Sequence, residues 1–586
     1  MISDQAVRQL AAHAGIMPSY RNLAGIRQST SRETNMALLR ACGIQLDNDA
    51  MAVEALKRIE AARSERLLPE ELVIVSGKPF RLDFANPAMW QLVLEGSSDP
   101  VAEDRAKDFI DLPPMSSGIH KLTVTDGGHS EVIRLIVAPA TAPSVADVTG
   151  CERLWGINLA LYGLHSKRNP GIGDYEDLEQ ASTALAAHGT GFLGINPVHA
   201  IGWNSDEVIS PYSPSHRGYL NASHIAVDRI APVSDRTLAL MAAWKENTGG
   251  VSQTLVDYES HARHHRPLLR ALYDDFAASA SPEQAAQFKL FCEREGEALR
   301  RFAGFESLSD LHGVDWRTWP VPLQQPNLDD VSGGDNPDFH MWLQWQAENQ
   351  LQAAQQQARS AGMALGLYLD LAVGARRDGA EAWAEQDSIA EGVSIGAPPD
   401  HLSPAGQNWN LAAFAPSKLA ANDYRAFRTI VSRNMRRCGL LRIDHVLGLN
   451  RCFWIPDDGS PGGYIKHNFG ALLAIVRIEA ERNRTVVIGE DLGLVPGGFR
   501  SALKDSGIYS YSVLQYEKTR LGSFRKPARL PAHSLACFAT HDTPTLEGFV
   551  KARDIDWWQK LDWIDEREGR KLRRRRKGEC AQLGKL

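Results

Sequence analysis

The sequence predicts an α/β protein: a (β/α)8 barrel of the TIM type with helical insertions, preceded by a helical segment and a small β-sandwich. Three observations carry that expectation. From about residue 150 short apolar strands alternate with helical stretches, which implies a parallel sheet. Three of those strands run into carboxylates: LLRID (440–444) into Asp444, TVVIGED (485–491) into Glu490 and Asp491, and LACFATHD (535–542) into His541 and Asp542. Burying an unpaired acid is costly, so three such endings argue for one shared polar pocket, and functional groups at the carboxyl ends of several strands mark a barrel. A doubly wound sheet is the alternative. It requires a glycine-rich phosphate loop after its first strand, and none stands there.

Each element follows from local pattern. Residues 1–65 read as helical, with Ala- and Leu-rich segments around Val7–Ala14, Arg32–Ala41 and Met51–Ala62, broken by Gly15, Pro18 and Gly43. Between 66 and 140 short β-type runs (LVIV, WQLVL, HKLTV, EVIRLIV) are separated by Gly, Asp, Pro and Ser, the pattern of a small antiparallel sandwich. APATAPSVADVTG (138–150) reads as an exposed, extended linker. The barrel is then expected over 150–586, on strands at 153–161, 191–198, 364–373, 440–444, 485–489, 511–516 and 535–540. Tyr424, Phe427, Ile430, Val431 and Met435 share one helical face, for which Asn422 or Asp423 is the expected cap and Gly439 the expected stop. Roughly 160 residues separate the second and third strands, far more than a normal connection, so an inserted helical subdomain is expected over about 221–360.

At 586 residues the chain is too long for one ordinary core. With 43% hydrophobic and 23% charged residues, and no apolar run able to cross a bilayer, it reads as a globular protein with no membrane partner. Its net charge of −7 is small for this size and offers no concentrated basic face, which excludes nucleic acid as an implied partner. The seven cysteines are odd in number and far apart, without ligand spacing, so a reducing compartment, no metal and no cofactor are expected. MISDQAVRQLAAHAG carries no apolar signal core, which predicts a cytoplasmic location.

The chemistry concentrates in GLLRIDHVLGL (439–449). Strand alternation puts Leu440, Arg442 and Asp444 on one face, so a permanent cation flanks a carboxylate and favours its ionised form. A buried structural ion pair would look the same on this stretch alone. Two interruptions also draw notice. SPYSPSHRGYLN (210–221) packs Tyr212, His216, Arg217 and Tyr219 into a proline-bearing loop. SIGAPPDHLSPAGQNWN (394–410) ends in Gln407, Asn408 and Trp409, an aromatic face flanked by amides, which suits a sugar ring, loop packing being the alternative for Trp409.

These residues carry a resemblance. PGIGDYEDL (170–178), SPYSPSHR (210–217), GLYLDLAVG (366–374), GAPPDHLSPAGQNW (396–409), LRIDHV (441–446), VIGEDLG (487–493) and ATHDTPT (539–545) stand in the order found in the 4-α-glucanotransferases called amylomaltases or disproportionating enzymes, the glycoside hydrolase family 77 type. The amino-terminal part resembles the bacterial maltose-utilisation form. The resemblance implies Asp444 as nucleophile, Glu490 as general acid/base and Asp542 as the residue holding the distorted sugar. Arg442, His541, Tyr212, Asp370 and Trp409, with Gln407 beside them, would line sugar subsites. Glu490, following an apolar strand and flanked by Asp491, is the carboxyl expected to be raised. Maltooligosaccharides and glucose are the expected partners. The same three acids would also serve an α-glucan hydrolase of the α-amylase kind.

After Gly548 no β-branched run reads as an eighth strand, and Arg573–Arg576 read as a solvated tail. The barrel is therefore expected to be incomplete at its carboxyl end, to be less stable for it, and to leave Asp542 the worst placed of the three acids. A degenerate, non-catalytic glucan-binding role is the reading that an open barrel would favour.

Overall fold

A computed structural model describes residues 3–22, 25–64, 66, 68–83, 87–169, 171–205, 207–248, 255–327, 337–399, 406–519 and 522–584. The chain forms two compact units, Met1–Val486 and Val487–Leu586.

The first unit opens with three helices, α1 (Asp4–His13), α2 (Arg32–Ala41) and α3 (Asp49–Ser64). Ser3 caps α1 by accepting from the Ala6 amide at 3.2 Å, and Ser31 caps α2 through Thr34. Val7, Leu10, Leu38 and Leu39 share one core with Ile395, Leu411, Trp454 and Ile465 from a later antiparallel sheet (Gln407–Leu411, Val393–Ala397, Arg451–Pro456, Gly463–Lys466). A bridge between Ile16 and Ile465 joins the two.

Residues 71–138 form a five-stranded sheet and a two-stranded ribbon (Phe80–Asp83 with Phe109–Leu112) around one core that includes Leu82, Ile110, Trp90, Leu122 and Leu135. The expectation of purely antiparallel strands is corrected here: Glu71–Val75 runs parallel to Arg134–Ala138. The extended linker is corrected as well. Ala138 still belongs to a strand, and Ser144 and Asp147 form a capping box on a short helix, Val145–Thr149.

Four parallel strands follow: β1 (Gly156–Leu159), β2 (Phe192–Ile195), β3 (Gly366–Leu371) and β4 (Leu440–Ile443), each paired to the next. Between β2 and β3 lie a hairpin (His199–Ala200 with His216–Leu220) and four long helices. The last two are α4 (Pro282–His312), broken at Gly296, and α5 (Pro337–Ser360). Their core is aromatic: Phe276, Phe302, Phe305, Phe339, Trp342 and Trp345 are all buried.

Helix α6 (Arg425–Met435) feeds β4. Neither Asn422 nor Asp423 caps it. Tyr424 takes the cap position in the left-handed region, because Asp423 is claimed by Arg134 and Asn422 donates to the Asp387 carbonyl. Gly439 does not stop the helix, which ends at Met435. It is needed where backbones meet, since a Cβ there would lie 2.0 Å from the Leu365 carbonyl oxygen.

The second unit begins within β5 (Val486–Gly489) and continues with the parallel strands β6 (Tyr509–Val513) and β7 (Ser534–Cys537). β7 pairs only with β6 among the described residues, and its side chains are only partly buried, against the expectation of a buried strand. The arginine run is corrected too. Arg573–Arg576 lie in α7 (Glu566–Leu583), where Arg576 is buried, forks onto Asp554 at 2.6 and 2.8 Å and sits 3.8 Å over the Phe549 ring. No helix among the described residues is long and apolar enough to cross a membrane.

Candidate active site

The register of β3 on β4 brings together the candidate residues of the first unit. Asp370 lies directly across from Arg442, and neighbours across a parallel pair project from the same face. The Arg442 Nη1 donates to both Asp370 oxygens at 2.6 and 2.8 Å, and its Nη2 stands 2.7 Å from Asp444 Oδ1. Tyr212 donates its hydroxyl to Asp370 Oδ2 at 2.8 Å. Tyr212, Asp370, Arg442 and Asp444 thus form one continuous chain of contacts.

Electrostatics follow from burial. Asp370 and Arg442 are 6% and 4% exposed, while the Asp444 side chain keeps 16% of its surface open. Burial raises Asp370 above the ordinary aspartate range, with Arg442 pulling against it. Burial also opposes the charge on Arg442, but Asp370 and Asp444 outweigh it and hold the guanidinium well above its usual range. The Tyr212 phenol is pushed far up by burial and then by Asp370, so it stays a donor.

Next to Asp444, His445 adopts φ 43° and is held at about 4 by burial, hence neutral. Its ring meets Trp409 edge to face, centroids 5.2 Å apart. Gln407 accepts from the Trp409 indole N–H at 3.0 Å and fixes its plane. Gln407 and Trp409, expected at a loop tip, belong to a strand instead, and of that loop residues 400–405 lie outside the described residues. The reading of His216, Arg217 and Tyr219 as loop residues is corrected. They lie in the buried hairpin strand, with Arg217 paired to Glu381.

In the second unit, Glu490 follows β5 and is 8% exposed, its Oε1 accepting from the Leu492 amide at 2.9 Å. Asp491 has partners of its own. That carboxylate is taken by the Tyr511 amide at 3.1 Å and by Arg500 at 2.7 Å. Asp542 is not at a strand end, because β7 stops at Cys537 and the acid sits in a turn built on Thr540 and Thr543. Its side chain is 77% exposed and 3.3 Å from His541 Nε2.

The sequence reading missed Tyr516. Although Tyr516 keeps 55% of its surface exposed, partial burial and then the charges of Asp542 and Glu490 push its phenol up. Gln515 ties this segment to the Pro544 carbonyl at 2.9 Å. No group of three or more His, Cys, Asp or Glu side chains among the described residues converges as a metal ion requires.

Residues 159–582 match the family model of glycoside hydrolase family 77, described as 4-alpha-glucanotransferase. The 4-alpha-glucanotransferase of Mycobacterium tuberculosis (strain ATCC 25618 / H37Rv) is 32% identical, over 93% of this chain and 81% of its own length. The crystal structure of amylomaltase from Corynebacterium glutamicum superposes with a TM-score of 0.83 at 28% identity, covering 98% of this chain and 84% of that one. Amylomaltase from Streptococcus agalactiae in complex with acarbose shares the fold at a TM-score of 0.59 and 17% identity, over 68% of this chain and 81% of its own.

Proposed function

Since the chain belongs to glycoside hydrolase family 77 and is a 4-alpha-glucanotransferase, we propose that it moves segments of a 1,4-α-glucan to glucose or a maltooligosaccharide by double displacement on Asp444 and Glu490. The acarbose-bound relative supports α-glucans as substrates. The observation that carries the mechanism is the Arg442 contact to Asp444 at 2.7 Å, with Arg442 itself anchored by Asp370. A cation so fixed holds the carboxylate in place for attack, as a nucleophile requires.

Glu490 protonates the glycosidic oxygen, and Asp444 captures the glucosyl cation as an ester. The acceptor hydroxyl, deprotonated by Glu490, then displaces that ester. This route puts the two carboxyl groups about 5–5.5 Å apart in the working enzyme. Asp542 and His541 hold the ring hydroxyls of the distorted sugar. Tyr212, Asp370, Arg442, Gln407 and Trp409 line subsites, and Tyr516 adds a wall beside Glu490 and Asp542.

The parallel strands belong, in this reading, to one (β/α)8-type barrel over 150–586 that is incomplete at its carboxyl end, with the helical insertion at about 221–360 and separate pieces at 1–65 and 66–140. All seven cysteines are free thiols, which fits a reducing cytoplasm. Incubation with maltotriose tests the reaction class. Transfer yields glucose and a ladder of longer maltooligosaccharides at nearly constant reducing ends, whereas rising reducing ends would mean hydrolysis and refute it.

A further inference from the structure

The two longest helices of the insertion send acids into a cluster of arginines on the helix that feeds the nucleophile strand. Glu295, on α4, accepts from Arg433 at 2.9 Å and from Arg436 at 2.5 Å. Glu348, on α5, accepts from Arg437 at 2.6 Å and from Arg436 at 3.2 Å. The side chains of Glu295, Glu348, Arg433 and Arg437 are all at most 5% exposed, and Arg433 and Arg437 pair with Glu295 and Glu348, which also take Arg436 and, at the rim, Arg294. The break in α4 falls immediately after Glu295, at Gly296 with φ 62° and ψ −143°, a conformation open to glycine alone. Burial works to raise Glu295, but Arg433 and Arg436 outweigh it and hold it at about 2.

The same stretch of α6 and its C-terminal turn grips the hairpin. Arg437 Nη1 donates to the Gly218 carbonyl at 3.1 Å and Asn434 Nδ2 to the Arg217 carbonyl at 3.0 Å, while the Arg433 guanidinium lies 4.4 Å from the Tyr219 ring. Arg217 in turn donates to the Val373 carbonyl at 2.9 Å, three residues beyond Asp370. The hairpin's connection carries Tyr212, which holds Asp370, and three residues past Arg437 the chain enters β4 with Arg442.

We propose that Glu295 and Glu348 are positioning residues for the transfer reaction: through Arg433, Arg436 and Arg437 they set the hairpin and β4 in register, and the insertion is a fixed wall rather than a moving lid. The proposal rests on Asp444 as nucleophile. It assigns water exclusion by motion to other segments, because lifting α4 or α5 would strand buried arginines without counter-charges.

Two variants test it. Glu348→Gln leaves Arg437 unbalanced, and Glu348→Met with Arg437→Met replaces the pair by apolar side chains of similar length. Assayed on maltotriose well below its melting temperature, each variant loses about tenfold in kcat with KM changed less than about twofold. The double variant regains the melting temperature but not kcat, since methionine cannot hold the Gly218 carbonyl. A double variant with wild-type kcat would overturn the proposal. Hydrogen exchange reads the same question without turnover: amides at 218–220 and 440–443 exchange faster in both variants, while those at 118–138 keep their rates. Unchanged exchange in the first two segments overturns it too, and a wild-type protein that fails to disproportionate maltotriose counts instead against the transferase reading.

Discussion

At the scale of single residues, the roles proposed for the acids follow what touches them. Asp444 has a guanidinium at 2.7 Å, whereas Glu490 is buried with an amide on one oxygen. Asp444→Asn is expected to lower kcat by about a thousandfold or more without unfolding the protein. Glu490→Gln keeps slow turnover of an α-glucosyl fluoride, whose leaving group needs no proton. Near-normal transfer by Asp444→Asn, measured as product chain lengths from maltotriose, defeats the assignment. Arg442 and Asp444 were legible because a charge pair inside an apolar run has few local explanations. Tyr516 was not, because it lies three residues past β6 and its meaning comes from two acids 26 residues to either side. Arg217 and Tyr219 misled for a related reason: prolines nearby spoke for a loop, while the partners that bury them lie far along the chain.

Elements place these residues, and the tightest tolerance is where β4 begins. A methyl group at Gly439 would meet the Leu365 carbonyl at 2.0 Å, backbone against backbone, with no flexible side chain to yield. Gly439→Ala is expected to destabilise the protein by about 2–4 kcal/mol. It should also lower kcat/KM, because any shift of β4 carries Arg442 and Asp444 with it. Urea unfolding and the maltotriose assay check both, and an unchanged midpoint contradicts the close approach. All seven parallel strands were readable to within a few residues from apolar runs and turn residues. The cap of α6 was not, since Asp423 had the right chemistry but is bonded to an arginine 289 residues earlier.

For the whole molecule, buried imidazoles set the response to acid. His224, His261 and His265 each hydrogen-bond a backbone carbonyl, of Gly173, Ser223 and Ile225 respectively. Burial holds His224 and His265 at about 4 against an ordinary 6.5. A lowered value in the folded state means that the unfolded chain takes up protons first. The contribution of these imidazoles is therefore complete above about pH 6.5 and falls as pH drops toward 4, while that of Glu295, held at about 2, begins to fall only below its ordinary 4.5. The melting temperature is expected to fall by at least about 5 °C between pH 7 and pH 4.5. A flat profile over that range would contradict a net contribution from these imidazoles, against which the raised Asp174 and Glu385 act.

The core shared by α1, α2 and the sheet at 393–466 has a consequence during synthesis. Leu10 and Leu38 leave the ribosome more than 400 residues before Trp454 and Ile465 do, which at 5–20 residues per second is roughly 20–90 s. Until the first of the sheet strands emerges, the nascent helices have only one another to cover their apolar faces. Substitutions at Leu10 or Leu38 are thus felt first in the yield of newly made protein, through aggregation or chaperone demand, and only afterwards in the stability of the finished chain.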